Sequence, residues 1–471
     1  MTDDDYSPDD DGYAGVTEDP NADRDYPEDL LALDRPDPTD EPVPAGRLPD
    51  HFWFAREALS HIHAAALSWP VSPDGLLGAT LARIAVAHRP EIQLPPRGSL
   101  NLLVALVGPS GAGKSETIAA AEALLPLDHR TDLVIDVPMG SGEGIADVYL
   151  GAPYKVDGHD GRKEYRRDQI VAGALFIVDE GQILAQISGR SGSTLFPTLR
   201  TAWSGGTLGQ KNAAAERDRR IPAHRYRFAA ILGIQPQHAA AILDDSAGGT
   251  PQRLLWFPVT DPRIAELDHL PAWPGVLDLP TPAHSTGERL TLHPDVAGEL
   301  QRNRIAAAAG NRVADELDSH RDLLRLKVAA LLALLDQRRD INPEDWHLAQ
   351  LVMRTSSYTR AVLVEIQRAE AAKAQRNRIA YRVAEHEAVE SSAHHTATVR
   401  GAVAIARKTH RAKPEELPLK HRDLTLATAG RDRQAASVDE MIAHAMTEKW
   451  IAVELDEERR PLYSPGRNRP A

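Results

Sequence analysis

Among its 471 residues the chain has no cysteine, which excludes disulfides, thiolate zinc sites and cysteine nucleophiles together. Nowhere do about 18 apolar residues run on without interruption, so no segment reads as a bilayer span. The opening MTDDDYSPDDDGYAGVTEDP lacks the basic start and apolar stretch of a secretory signal. A cytoplasmic protein with no membrane partner is therefore expected. Metal-ligand spacing is missing as well. His61 and His63, and the pair His394 and His395, come without an H-E-x-x-H helix or a Cys–His array, so they read as packed or solvated side chains. The GRSGST segment at 189–194 lacks the strand-borne G-x-S-x-G of a nucleophile elbow.

Positive charge is short only locally. The net charge is −14, and residues 1–50 hold 17 of the 68 acidic residues with 3 of the 54 basic ones, leaving 51 of each elsewhere. The excess thus sits in an Asp- and Pro-rich tail, residues 1–47, with too few large apolar side chains to offset the entropy of ordering it. It reads as a disordered solubilising tail, or as a nucleic-acid mimic that masks a basic channel.

Beyond the tail the chain is patterned. Residues 48–98 carry helical apolar spacing, with Asp50 and Ser72 as N-caps and Pro73 at a first helical position. Over 99–265 strands alternate with helices: LNLLVALVG, DLVIDV, GALFIVDE, YRFAAILGIQP and QRLLWFPV are the five strands. That alternation predicts a mainly parallel sheet covered on both faces. Residues 285–365 are helical only, with Asn342 as a cap before Pro343, and form an all-α lid. A charged Ala-rich helix over 366–400 connects to a small domain, 401–471, whose helix, turn and two strands read as winged-helix-like.

The sharpest motif is Gly108-Pro109-Ser110-Gly111-Ala112-Gly113-Lys114-Ser115, which fits G-x-x-x-x-G-K-[ST] between a strand and a helix. Backbone amides must approach phosphate oxygens closely, and Cβ atoms at the three glycines would hinder them. The helix N-terminus favours anions, Lys114 supplies a point charge, and Ser115 a hydroxyl for Mg²⁺. The cradle for ATP is read as residues 108–116, Glu116 included.

Four apolar residues lead to Asp179 and Glu180 at a strand's carboxyl end, where open α/β sheets bind ligands. Asp179 is assigned to Mg²⁺ and Glu180 to the attacking water, with Glu143 in GSGEGI as a rival base. Gln235, ending the fourth strand, reads as a γ-phosphate sensor. Arg253, after GGTPQ, reads either as a catalytic arginine offered to a neighbouring subunit or as an arginine paired within its own fold. For nucleic acid the best segment is Gly209–Arg227, with Lys211, Arg217, Arg219, Arg220, Arg225 and Arg227 around His224 and Tyr226; a solvated surface loop is the alternative. The charged stretch Gly158–Gln169 is a weaker candidate. The C-terminal domain is read as binding either DNA or protein.

SLNLLVALVGPSGAGKS, VDEGQIL, LRTAWSGGTLG, YRFAAILGIQP, GGTPQRLLWF and LKVAALLALLD…INPEDWHLA together resemble the P-loop ATPase domains associated with primase–polymerases of actinobacterial phages, plasmids and integrative elements. The resemblance covers about residues 50–365, and its more specific strings are GIQP and GGTPQR. It implies an α/β P-loop NTPase with a RecA-like or ring-helicase-like parallel sheet. It also implies Lys114 and Ser115 at phosphate and Mg²⁺, Asp179 and Glu180 in hydrolysis, Gln235 as sensor and Arg253 as finger. Relatives often carry a primase–polymerase module where this chain has its acidic tail, so such a module would be a separate partner. The function expected is a Mg²⁺-dependent ATPase acting as a helicase-like or translocase-like motor on single-stranded or forked DNA, as a homo-oligomeric ring, in replication of a mobile element or phage. The alternative is a switch or scaffold ATPase with slow, DNA-independent turnover. A small-molecule kinase leaves the helical half without a role.

Overall fold

The computed structural model describes residues 46–96, 98–157, 163–179, 186–187, 193–210, 219–279, 289–310 and 316–470. It divides into two compact units, Met1–Leu363 and Val364–Ala471.

Helices α1 (Asp50–Phe54), α2 (Glu57–Ser68) and α3 (Pro73–Ala87) open the first unit. Pro49, not Asp50, is the N-cap of α1; Asp50 is instead the acidic residue of its first turn. Ser72 caps α3 as the sequence suggests, accepting from the Gly75 amide, with Pro73 at the first position. Every residue of α3 is buried, because it is apolar nearly all round and packs on the sheet. Gly78 is what lets it lie so close: a Cβ there would stand 2.3 Å from Phe257 Cδ2.

The strands β1 (Leu102–Val107), β2 (Leu133–Pro138), β5 (Gly173–Val178), β8 (Arg227–Ile234) and β9 (Leu254–Pro258) form one sheet, with α4 (Lys114–Leu124) after β1. Its order is β2-β5-β8-β1-β9 and every pairing is parallel. This is the mixed α/β architecture with a central parallel sheet that the alternation predicts. β1 and β8 are buried throughout, which is why both read as continuous apolar runs rather than alternating ones. β1 lies inside the sheet between β8 and β9, so the loop that follows it opens at the sheet's carboxyl edge, where α/β sheets bind ligands.

Two hairpins decorate this core, β3 (Tyr154–Asp157) with β4 (Lys163–Arg166), and β6 (Leu208–Gln210) with β7 (Arg219–Ile221). Helices α5 (Gly142–Asp147), α6 (Leu195–Ser204) and α7 (Ala240–Leu243) lie between strands. The pair β10 (Thr291–Leu292) and β11 (Asp340–Ile341) joins helices α8 (Pro294–Ala308) and α9 (Arg321–Leu335) of the expected all-α segment. Asn342 caps the next helix reciprocally: the Asp345 amide donates to Asn342 Oδ1 and the Asn342 amide to Asp345 Oδ2, each at 2.9 Å.

That helix, α10, runs from Pro343 to Arg411 without a break, so the lid's last helix and the connecting helix expected over 366–400 are one element. In the second unit its C-terminal turns are followed by β12 (Leu419–Lys420), α11 (His421–Thr425), α12 (Gly430–Ala435), α13 (Val438–Thr447), β13 (Ile451–Leu455) and β14 (Pro461–Pro465). The strands pair antiparallel in the order β12-β14-β13. A separate small core, including Ile405, Leu424, Met441, Ile451 and Tyr463, holds this unit together. Among the described residues no helix is long and apolar enough to cross a membrane.

Candidate functional site

The loop after β1 is built for close approach. The Gly108 amide donates to Ile234 O at 3.1 Å, tying the start of the loop to the end of β8. A Cβ on Gly108 would lie 2.4 Å from Val259 Cγ2, so only glycine fits. Gly111 and Gly113 adopt φ of +73° and +86°, and a Cβ at Gly111 would meet nothing within 4 Å. The loop is therefore left-handed at two points and open to solvent on that side. Gly113 caps α4 without a side chain, leaving first-turn amides for an outside acceptor.

Lys114 is buried and folds back over this loop, its Nζ donating to Gly108 O at 3.0 Å and Pro109 O at 2.7 Å. Burial lowers its pKa, and Glu116 opposes that shift. Beside it, Ser115 and Asp179 line one cavity of about 450 Å³, together with Glu122, Asp136 and an apolar side that includes Ile118 and Met139. Asp179 lies just past β5, and its carbonyl so crowds β8 that a Cβ on Gly233 would stand 2.4 Å from it.

Asp136 was not among the residues singled out from sequence. It has φ of 58° where the β2–β5 register slips between Val134 and Val137, a conformation Asp tolerates better than most residues. An Asp within a strand sequence was the available signal. Glu143 is held beside α6 by Thr194, whose hydroxyl donates to Glu143 Oε1 at 2.9 Å. Its pKa is lowered by backbone hydrogen bonding first, then by Thr194. Gln235 follows β8 on the same sheet edge as the loop, and accepts from Gln237 Nε2 at 2.6 Å. Glu180, the first choice for the water-activating base, lies outside the described residues, as do Lys211 and Arg217.

Arg253 stands at the other edge. β9 begins at Leu254, opposite Leu103 near the start of β1, whereas Gly108 comes after the end of β1. A strand of this length spans roughly 17 Å, so the glycine loop of the same chain is out of reach. The guanidinium lies 5.5 Å from the Trp203 ring centroid and donates to Gly249 O at 2.5 Å. Its Nε is buried with no hydrogen-bond partner among the described residues. Desolvation lowers its pKa, and the charge of Arg200 adds to that. Lys327, fully buried, approaches the same indole to 3.8 Å and donates to Asn101 O at 2.5 Å and Trp203 O at 2.6 Å.

The basic segment divides. Arg220 and Arg225 are exposed and Arg219 half-buried, with Arg219 Nε 3.1 Å from Asp147 Oδ1. Arg227 is a correction to the sequence reading: its side chain is interior, not on that surface. It donates from Nε to His88 O at 3.1 Å and from Nη2 to Arg89 O at 2.8 Å and to Ile92 O. Burial brings its pKa down to about 9. Tyr226 is also buried, its hydroxyl donating to Gly206 O at 2.7 Å. The chain enters the interior at Tyr226, one residue before β8 begins, and so takes Arg227 with it.

No protein-family model matches this chain, and no curated protein is detectably similar to it in sequence.

Proposed function

We propose that the chain is a magnesium-dependent ATP hydrolase that drives movement along, or remodelling of, single-stranded or forked DNA as a homo-oligomer. One observation carries the reading: a left-handed, open glycine loop with a buried lysine at the carboxyl edge of a parallel sheet, beside a cavity shared by Ser115 and Asp179. It is a P-loop in this reading, and the second unit is a winged-helix module.

In the proposed reaction Lys114 leaves the Gly108 and Pro109 carbonyls for phosphate oxygens, and the amides around Gly111–Lys114 take the rest. The donor set suits magnesium, which binds few protein oxygens and keeps waters and phosphate oxygens. Ser115 and Asp179 would hold it, and among the described residues no cluster of three or more acids or histidines competes for it. When bound it supplies charge neutralisation. Glu180 orients the attacking water, and Gln235 senses the γ-phosphate. Arg253 cannot serve its own loop, so it is assigned to the loop of a neighbouring subunit; its Nε, buried with no partner among the described residues, favours an anion there. Arg219, Arg220 and Arg225 are the DNA contacts that remain available, and a separate primase–polymerase is the partner this reading implies.

Equilibrium titration with a fluorescent ATP analogue tests the core of this reading. Magnesium-dependent binding that Asp179→Asn weakens and Lys114→Ala abolishes supports it; binding indifferent to both substitutions refutes it.

A further inference from the structure

Helices α8 and α9 and the start of α10 enclose a cavity of about 770 Å³ that shares no residue with the glycine loop. Helix register brings its polar groups to one end. β10 and β11 run parallel and lead straight into α8 and α10, so these two helices set off side by side. Trp346 Nε1 donates to Glu299 Oε2 at 2.7 Å, and Arg325 Nη1 to Glu299 Oε1 at 3.0 Å. One turn onward along α8 and α10 come Arg302, Asn303 and Gln350; one turn back along α9 come Arg321 and Asp322. All five line the cavity. Beside them is the first turn of α9, whose N-cap His320 makes no side-chain bond to it, leaving amides for an outside acceptor.

Gln350 is only 9% exposed, and among the described residues nothing hydrogen-bonds its amide, a costly state for a buried polar group. Among the same residues Arg302 has no ion-pair partner, and Arg321 approaches only Asp318, at 3.9 Å. The carboxylates of the cavity act elsewhere. Glu299 is held by Arg325 and Trp346, and Asp295 stands 3.4 Å from His293. Burial brings the pKa of Arg325 down to about 10, and the charges of Glu299 and Asp322 oppose that shift. Arg325 is also fixed in place: its guanidinium lies 3.8 Å from the Trp346 ring centroid and donates to Trp346 O at 3.1 and 3.0 Å. Trp346 is buried beneath it, so the cavity is floored by a flat cationic plate.

We infer that this cavity binds a free nucleoside monophosphate, with its phosphate on Arg302, Arg321 and the first-turn amides of α9 and its base on the Arg325 plate. A phosphate takes charge-assisted hydrogen bonds from guanidinium groups and from the start of a helix. Guanidinium planes stack on bases, and Arg325 is held flat before any ligand arrives. Gln350 donates to an oxygen of the ligand, which ends the isolation of its amide. Asp322, at the same end, accepts from a sugar hydroxyl. The volume suits a ligand of this size. The inference does not rest on nucleotide chemistry at the glycine loop.

Isothermal titration of the full chain with adenosine 5′-monophosphate tests it, on a Lys114→Ala background that removes phosphate binding at the glycine loop. One saturable site per chain is expected, with inorganic phosphate competing about tenfold more weakly because it gains no stacking. Arg302→Glu and Gln350→Leu should each weaken binding by about tenfold or more. Arg304→Glu, the same charge change at an exposed residue outside the cavity, should alter it by less than about threefold. Gln350→Leu removes an unpartnered amide and should melt no lower than its parent, so its loss of affinity is not a loss of fold. The absence of saturable binding, binding that ignores Arg302→Glu and Gln350→Leu, or an Arg304→Glu as damaging as Arg302→Glu overturns the inference. Single-stranded DNA that competes on equal terms with the mononucleotide overturns the assignment to a free ligand.

Discussion

Thr194 and Glu143 are joined by a 2.9 Å hydrogen bond that links the N-cap of α6 to the first turn of α5. That bond bears on which carboxylate activates water. A glutamate committed to a hydroxyl, with its pKa lowered by hydrogen bonding, is a weak proton acceptor. Glu180→Gln should therefore lower kcat by about 10²-fold or more with ATP binding retained, and Glu143→Gln by less than about tenfold. Single-turnover kinetics on the two variants will decide between them; the reverse ranking makes Glu143 the base.

Arg253 and Lys114 lie at opposite edges of one sheet, so their roles separate on mixing. Arg253→Ala should bind ATP normally and lose turnover by about 10³-fold or more. Mixing it with Lys114→Ala subunits should restore part of the activity, because some interfaces then pair an intact loop with an intact arginine. Mixtures as inactive as their components would contradict its assignment to a neighbouring subunit's loop.

Arg227 and its neighbours in sequence should behave as different kinds of residue. Arg227→Met strands the carbonyls of His88, Arg89 and Ile92, and should cost about 3 kcal/mol of stability, read as a lowered Tm. Arg220→Ala with Arg225→Ala should leave Tm unchanged, weaken DNA binding and reduce the salt slope of log K by about 1–2. Calorimetry and binding at several salt concentrations check both halves.

Asp74 gives a pH signature. Burial pushes its carboxyl up to about 7, and among the described residues only the Leu48 amide donates to it, at 3.4 Å. The folded protein thus holds a proton that the unfolded chain releases near 4. Stability conferred by the protonated form is intact below that value and falls as pH rises towards 7, levelling above it. Asp74→Asn keeps an acceptor for Leu48 and cannot ionise. Its Tm should match wild type near pH 4 and exceed it increasingly up to about pH 7. Equal melting curves at pH 8 would show Asp74 to be ionised without cost.

The strands and the glycine loop were legible because each depends on local pattern. Apolar runs of strand length such as LLVALV, and glycines at fixed spacing before Lys114, fix their own geometry. Partnerships across the fold were not. Nothing local distinguishes Arg227, which opens a fully buried strand, from Arg225, two residues earlier and exposed. The αL conformation of Asp136 arises from a register slip against β5, and Thr194 meets Glu143 only because α6 packs against α5. The unbroken course of α10 is likewise hidden in composition, since its buried and exposed stretches differ while its backbone does not.

The most direct test is ATP hydrolysis with and without single-stranded DNA, with Lys114→Ala as the blank. The account predicts magnesium-dependent turnover absent in Lys114→Ala, stimulated by DNA, with the stimulation fading as salt rises. Turnover that persists in Lys114→Ala, or that DNA does not change, would contradict it.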